Sequence, residues 1–175
     1  MGGRGAGYAL LALAGVLFSV AVVSGWSAAA GFQGRAAETH AVERAASDFI
    51  VAHGTFDHRD PRGYTDRLVS LTAGPLRAAI TAAAVDPAAG PAERVLTTRI
   101  ESVSVSALAG DEATAFVTAV QERRWVDAAV VSPERQRLQE TVRQRITCRL
   151  VREDGRWLVA ELRLESVERV SATGR

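Results

Sequence analysis

Past residue 34 the chain passes from an unbroken apolar run to a periodic pattern. Val42, Ala45, Ala46, Phe49, Ile50 and His53 recur at helical spacing, the stripe of one amphipathic helix face. Glu43, Arg44, Ser47 and Asp48 fall on the other face, and Gly54 stands where a C-cap glycine would, so the pattern predicts a helix over about residues 36–53. Asp60-Pro61 signals a second start, because the aspartate accepts from first-turn amides and proline at the first helical position loses no useful donor. Tyr64, Leu68 and Leu71 continue that helix. Gly74-Pro75 ends it and opens a third, with Leu76, Ala79, Ile80 and Ala83 on one face, and DPAAGPA at 86–92 reads as a breaker-rich loop.

The second half switches to period two. Val103, Val105 and Ala107 alternate with serines, and a Gly-Asp turn precedes the strand-like ATAFVTAV. In TVRQRITCRL, Val142, Ile146, Cys148 and Leu150 share one side while Arg143, Arg145 and Arg149 take the other. Asp154-Gly155 is a favoured hairpin turn, after which Leu158, Ala160, Leu162 and Leu164 alternate with charge. Four long antiparallel strands follow from this reading. The fold class is α+β, with three helices packed on a curved antiparallel sheet whose apolar face they cover.

Ahead of this domain, residues 5–34 carry no charged side chain, and Tyr8–Trp26 is about as long as the ~20 residues a helix needs to cross a bilayer. The run exceeds the ~7–15 residues of a signal-peptide core, which favours a retained anchor. Ala28-Ala29-Ala30 offers the alternative of a cleaved signal. Arg4 and the amino terminus precede the run, so the expected topology is single-pass with the N-terminus cytoplasmic. On this division residues 1–34 are stub and anchor and residues 35–175 an extracytoplasmic domain. Gly3 and Gly7 have the spacing of a helix-dimer motif at the edge of the run, which admits a homo-oligomer.

Composition narrows the function classes. All 21 basic residues are arginine. Beyond residue 34 the arginines and carboxylates balance, so the domain lacks the basic excess that phosphate contacts require, and nucleic acid is not an expected partner. Cys148 is the only cysteine, which excludes an intramolecular disulfide and reads as a small buried hydrophobe.

The segment HGTFDHRDPRGYTD, residues 53–66, concentrates histidine and aspartate. His53, Asp57 and His58 are three potential metal ligands, but they straddle a helix end, so no ligand-competent spacing is set. The simpler parse is a stripe-ending His53, an Asp57 that bonds backbone amides of the turn, and a capping Asp60. No metal, cofactor or catalytic residue is expected. Farther on, Arg123 to Arg152 holds eight arginines against three acids. A solvated strand face accounts for Arg143, Arg145 and Arg149; the functional alternative is a partner surface that adds Arg123, Arg124 and Trp125, with Trp125 read as lying in an irregular insertion.

The order of three helices and long strands, with Phe56-Asp57-His58-Arg59-Asp60, LTAGPL and the late EDGRWLVAEL, resembles the nuclear transport factor 2-like (NTF2-like) cone fold. It is similar in particular to the membrane-anchored actinobacterial Mce-associated proteins and to VirB8 and TcpC type components of conjugation machines. The resemblance departs at His58, where an aromatic such as tyrosine is expected. It implies a non-enzymatic accessory subunit with protein partners in a cell-envelope complex, for lipid transport or for DNA transfer. Enzymes on the cone fold work inside its cavity. The residues placed to serve such a cavity, or to hold a small apolar ligand in it, are His53, Asp57, Tyr64 and Glu122.

Overall fold

The computed structural model describes residues 34–83, 89–126 and 137–174. The expected anchor, the Ala28–Ala30 site and part of the 86–92 loop lie outside them. Among the described residues no helix is long and apolar enough to cross a membrane. The chain divides into compact units Met1–Thr39 and His40–Arg175, and the packing described below is that of the second.

Helix α1 covers 34–54. A short strand β1, Phe56–Asp57, precedes helices α2, Pro61–Ser70, and α3, Gly74–Ala82. Four long strands follow: β2, Val95–Ala109; β3, Glu112–Val126; β4, Arg137–Glu153; and β5, Arg156–Gly174. They form one sheet in the order β1-β2-β3-β4-β5, antiparallel throughout. The α+β class and the helices-then-strands order hold. The added β1 is only two residues long and carries no period of its own.

Local chemistry sets the element ends. Asp60 caps α2 by accepting from the Gly63 amide at 3.0 Å, with Pro61 in the first turn. Gly110, at φ +57°, and the Asp154-Gly155 pair, at +50° and +76°, make two-residue hairpins in the left-handed region that such turns require. LTAGPL also gains a physical reason. Leu71–Ala73 straps the edge of β5, where Val159 donates to the Leu71 carbonyl at 3.1 Å and accepts from the Ala73 amide at 2.9 Å. Gly74, at φ +51°, then turns the chain into α3.

The core lies between the helices and one face of the sheet. Val42, Ala46, Phe49 and Ile50 of α1 pack with Leu68 of α2 on Ala113, Ala115, Val117 and Ala119 of β3, Ile146, Cys148 and Leu150 of β4, and Trp157 and Val159 of β5. The alanines keep the central strand low, which leaves room for Phe49 and Ile50. Burying each of those large side chains stabilises the fold by roughly 1.5–3 kcal/mol.

Bulges redirect side chains that simple alternation misplaces. In β2, Val105 pairs with Ala115 but Ala107 with Thr114, so Ser106 is an extra residue; Leu108 packs on the core and Ala107 is exposed. In β5 the extra residues are Ala160, Glu165 and Val170. Val159 and Leu162 therefore face the core, while Leu158 and Ala160 pack with Ala73 in a small cluster of their own. Bulges bend strands and increase twist, and their recurrence in β2 and β5 accounts for the curl of the sheet.

Candidate functional site

The 53–66 segment parses as a helix end, a turn and a helix start. Gly54 ends α1 without the left-handed conformation of a C-cap glycine. Its role is close approach: a Cβ there would stand 2.8 Å from the Thr98 Cβ. The Gly54 carbonyl accepts from Thr98 Oγ1 at 2.7 Å and from Gln121 Nε2 at 3.0 Å, and Gln121 Oε1 accepts from Arg123 Nε at 2.7 Å. Thr98 and Gln121 are both buried, so this network ties the end of α1 to the middle of the sheet. The sequence signal for this network is a glutamine that follows Ala115, Val117 and Ala119 on the core-facing alternation.

A cleft of about 310 Å3 opens beside this network, lined by His53, Phe56, Tyr64, Leu68, Ile80 and Leu96 among others. Of the four expected cavity residues, two are in it. The His53 ring stacks at a tilt on Phe49, with centroids 5.7 Å apart. Its partial withdrawal from water holds the imidazole below the ordinary histidine range; the residue as a whole stays exposed, which limits the shift. Tyr64 meets Phe56 edge-on at 5.1 Å and its hydroxyl donates to the His53 carbonyl at 2.9 Å. Burial raises the Tyr64 pKa, against an opposing pull from Arg67.

Asp57 and Glu122 point elsewhere. In β1, Phe56 is buried and Asp57 exposed, as strand alternation requires. The Asp57 carboxylate accepts from the Arg59 amide at 2.9 Å, closing the turn. His58 Nδ1 lies 3.5 Å from the same carboxylate, within ion-pair reach but without hydrogen-bond geometry. Glu122 sits on the outer face of β3, 3.9 Å from Arg124. Among the described residues, therefore, no carboxylate lines the cleft opposite His53. Among the described residues no three His, Cys, Asp or Glu side chains are grouped to hold a metal ion.

The arginines expected as a partner surface divide between faces. Arg143, on the outer face, forks onto Glu101 at 2.8 and 3.3 Å, and this bond holds the Glu101 carboxyl below its usual range. Arg149 lies 3.7 Å from Glu112 and 3.5 Å from Glu161. Arg145 is exposed between them. Arg123 is on the helix-side face with Gln121 and Glu140. Trp125 lies in regular β3, paired with Leu138, not in an irregular insertion. With Arg124, Arg59, Arg137 and Leu138 it lines an open groove of about 880 Å3.

No known protein family matches the chain, and no curated protein does. Solved structures do match. One is an NTF2-like protein involved in plasmid conjugation, at 12% identity over 70% of this chain and 47% of that one, TM-score 0.48. The chain thus spans about half the length of that protein. Another is Agrobacterium tumefaciens VirB8, at 11% identity over 75% of this chain and 94% of that one, TM-score 0.50. This chain has the VirB8 fold.

Proposed function

We propose that this protein is a membrane-tethered, non-catalytic assembly subunit of an envelope-spanning conjugation or secretion complex, with residues 35–175 on the extracytoplasmic side. The observation that carries the reading is the fold match, which covers 94% of the solved VirB8 chain. The uncharged run through Tyr8–Trp26 supports the tether. The cleft supports a non-catalytic role: the Tyr64 hydroxyl donates to a backbone carbonyl, and among the described residues no acid lines the cleft opposite His53. Of the two family resemblances in the sequence, the VirB8 one is supported by the fold and the Mce-associated one rests on motifs alone. The partners are proteins, because the balanced charge of the domain suits them better than nucleic acid.

Protease treatment of intact spheroplasts tests the placement. Residues 35–175 are digested without opening the membrane; protection until lysis refutes it. One observation favours a second reading, a small-ligand carrier: the apolar cleft beside His53 and Tyr64 is open and just reaches the size of small-molecule sites. Titration with an environment-sensitive apolar dye separates the two. Saturable binding abolished by Leu68→Trp, which fills the cleft, favours the carrier; no binding removes it.

A further inference from the structure

Among the described residues β5 is the last strand of the sheet, and only its start is covered. The Leu71–Ala73 strap pairs with Val159, and among the described residues no backbone pairing continues along that edge. An open edge with apolar side chains is a template for another strand. Leu164 and Val167, 54% and 50% exposed, lie on this part of β5.

We propose that the edge Glu161–Val170 pairs antiparallel with the same edge of a second copy of this chain, the two-fold axis passing between Glu165 and Ser166. The bulges decide which side chains share a face. Leu164 pairs with Ile146 and Val167 with Gln144, on the helix side; Arg163 pairs with Thr147 and Glu168 with Arg143, on the outer side. In the proposed register Leu164 of each copy stands opposite Val167 of the other, gathering four apolar side chains on the helix-side face. On the outer face Arg163 stands opposite Glu168, twice. A slip of one residue either way sets Leu164 opposite Ser166 or Glu168 and so mixes the faces, which disfavours it.

Two further features suit this register. Glu161 stands opposite Val170, so the paired stretch stops just short of the strap on Val159 in both copies. Glu165, beside the axis, has its carboxylate turned back to accept from Thr147 Oγ1 at 2.9 Å, which keeps the two copies of this charge apart. The present partners of the paired charges do not compete strongly: Arg163 is 3.6 Å from Glu161 and Glu168 is 3.8 Å from Arg143, both at the surface.

The test is sedimentation of the full chain in detergent, with circular dichroism to confirm folding. Arg163→Glu and Glu168→Arg each put like charges across both symmetric contacts and raise the dimer dissociation constant roughly tenfold. The double swap Arg163→Glu with Glu168→Arg restores opposite charges and the wild-type constant. A wild-type monomer, or a dimer indifferent to the single reversals, overturns the proposal, the second pointing to association through the N-terminal run. Oxidation of mixed copies carrying Leu164→Cys and Val167→Cys reads the register directly. A cross-linked dimer is expected, with little background because Cys148 is buried; no cross-link overturns the register.

Discussion

Replacing Gly54 by alanine tests the tie between α1 and the sheet. The new Cβ would lie 2.8 Å from the Thr98 Cβ and 3.1 Å from its Cγ2, with Oγ1 closer still. Carbon atoms in contact settle at roughly 3.5–4.0 Å, so the helix end and β2 have to part by several tenths of an ångström or more. Thr98 has little freedom to yield, because its strand is paired with β3 through Gln121. Overpacking of this kind costs about 1–3 kcal/mol. The same displacement stretches the bonds from Thr98 and Gln121 to the Gly54 carbonyl, which contribute roughly 0.5–1.5 kcal/mol each. Gly54→Ala is therefore expected to lose about 3 kcal/mol. The assay is equilibrium urea denaturation of the full chain in detergent followed by tryptophan emission, Trp157 being buried in the core. Adding Thr98→Gly removes the contacted atoms and recovers part of the loss. A Gly54→Ala protein within about 0.5 kcal/mol of wild type, the range of ordinary surface substitutions, refutes the close approach.

Three further outcomes follow from the same geometry. Cys148 is buried and its pKa is pushed up to about 12, so a thiol reagent at pH 8 leaves the folded chain unmodified and labels it only after denaturation; stability is level below the unfolded thiol's 9.0 and falls as pH climbs from there toward 12. The His53 pKa is lowered, so its contribution to stability is present above 6.5 and declines as pH falls, an effect that His53→Gln removes; an NMR midpoint for this ring at or above 6.5 contradicts it. Tyr64→Phe keeps the edge contact with Phe56 and loses the bond to the His53 carbonyl, a loss of about 1 kcal/mol in the same urea assay.

Most of the helical half was legible because its signals are local. The Val42–His53 stripe, the Asp60 cap and the Gly74-Pro75 break each depend on neighbours within a turn or two, and the hairpins at Gly110 and Asp154-Gly155 depend on two residues each. The strand faces were harder to read because an inserted residue is invisible to a period of two. Ser106 and Ala160 each shift the pattern, which is why Leu108 and Val159 take core positions that alternation assigned to Ala107 and to Leu158 and Ala160. The site divided similarly. His53 and Tyr64 meet because one ends a helix and the other begins the next, whereas the side of β1 that Asp57 occupies depended on a pairing with Leu96 and Val95 some 38 residues away. Gly54 occupies a cap position in the sequence, and its contact with Thr98, 44 residues on, has no local signal.

The central claim, a tethered assembly subunit without catalysis, is tested most directly by conjugal transfer from a donor strain lacking this chain. Transfer falls on deletion and returns with the full chain, returns equally with a His53→Gln, Asp57→Asn, Tyr64→Phe, Glu122→Gln variant of normal abundance, and does not return with residues 35–175 alone. Undiminished transfer after deletion, or a folded quadruple variant that fails to restore it, contradicts the account.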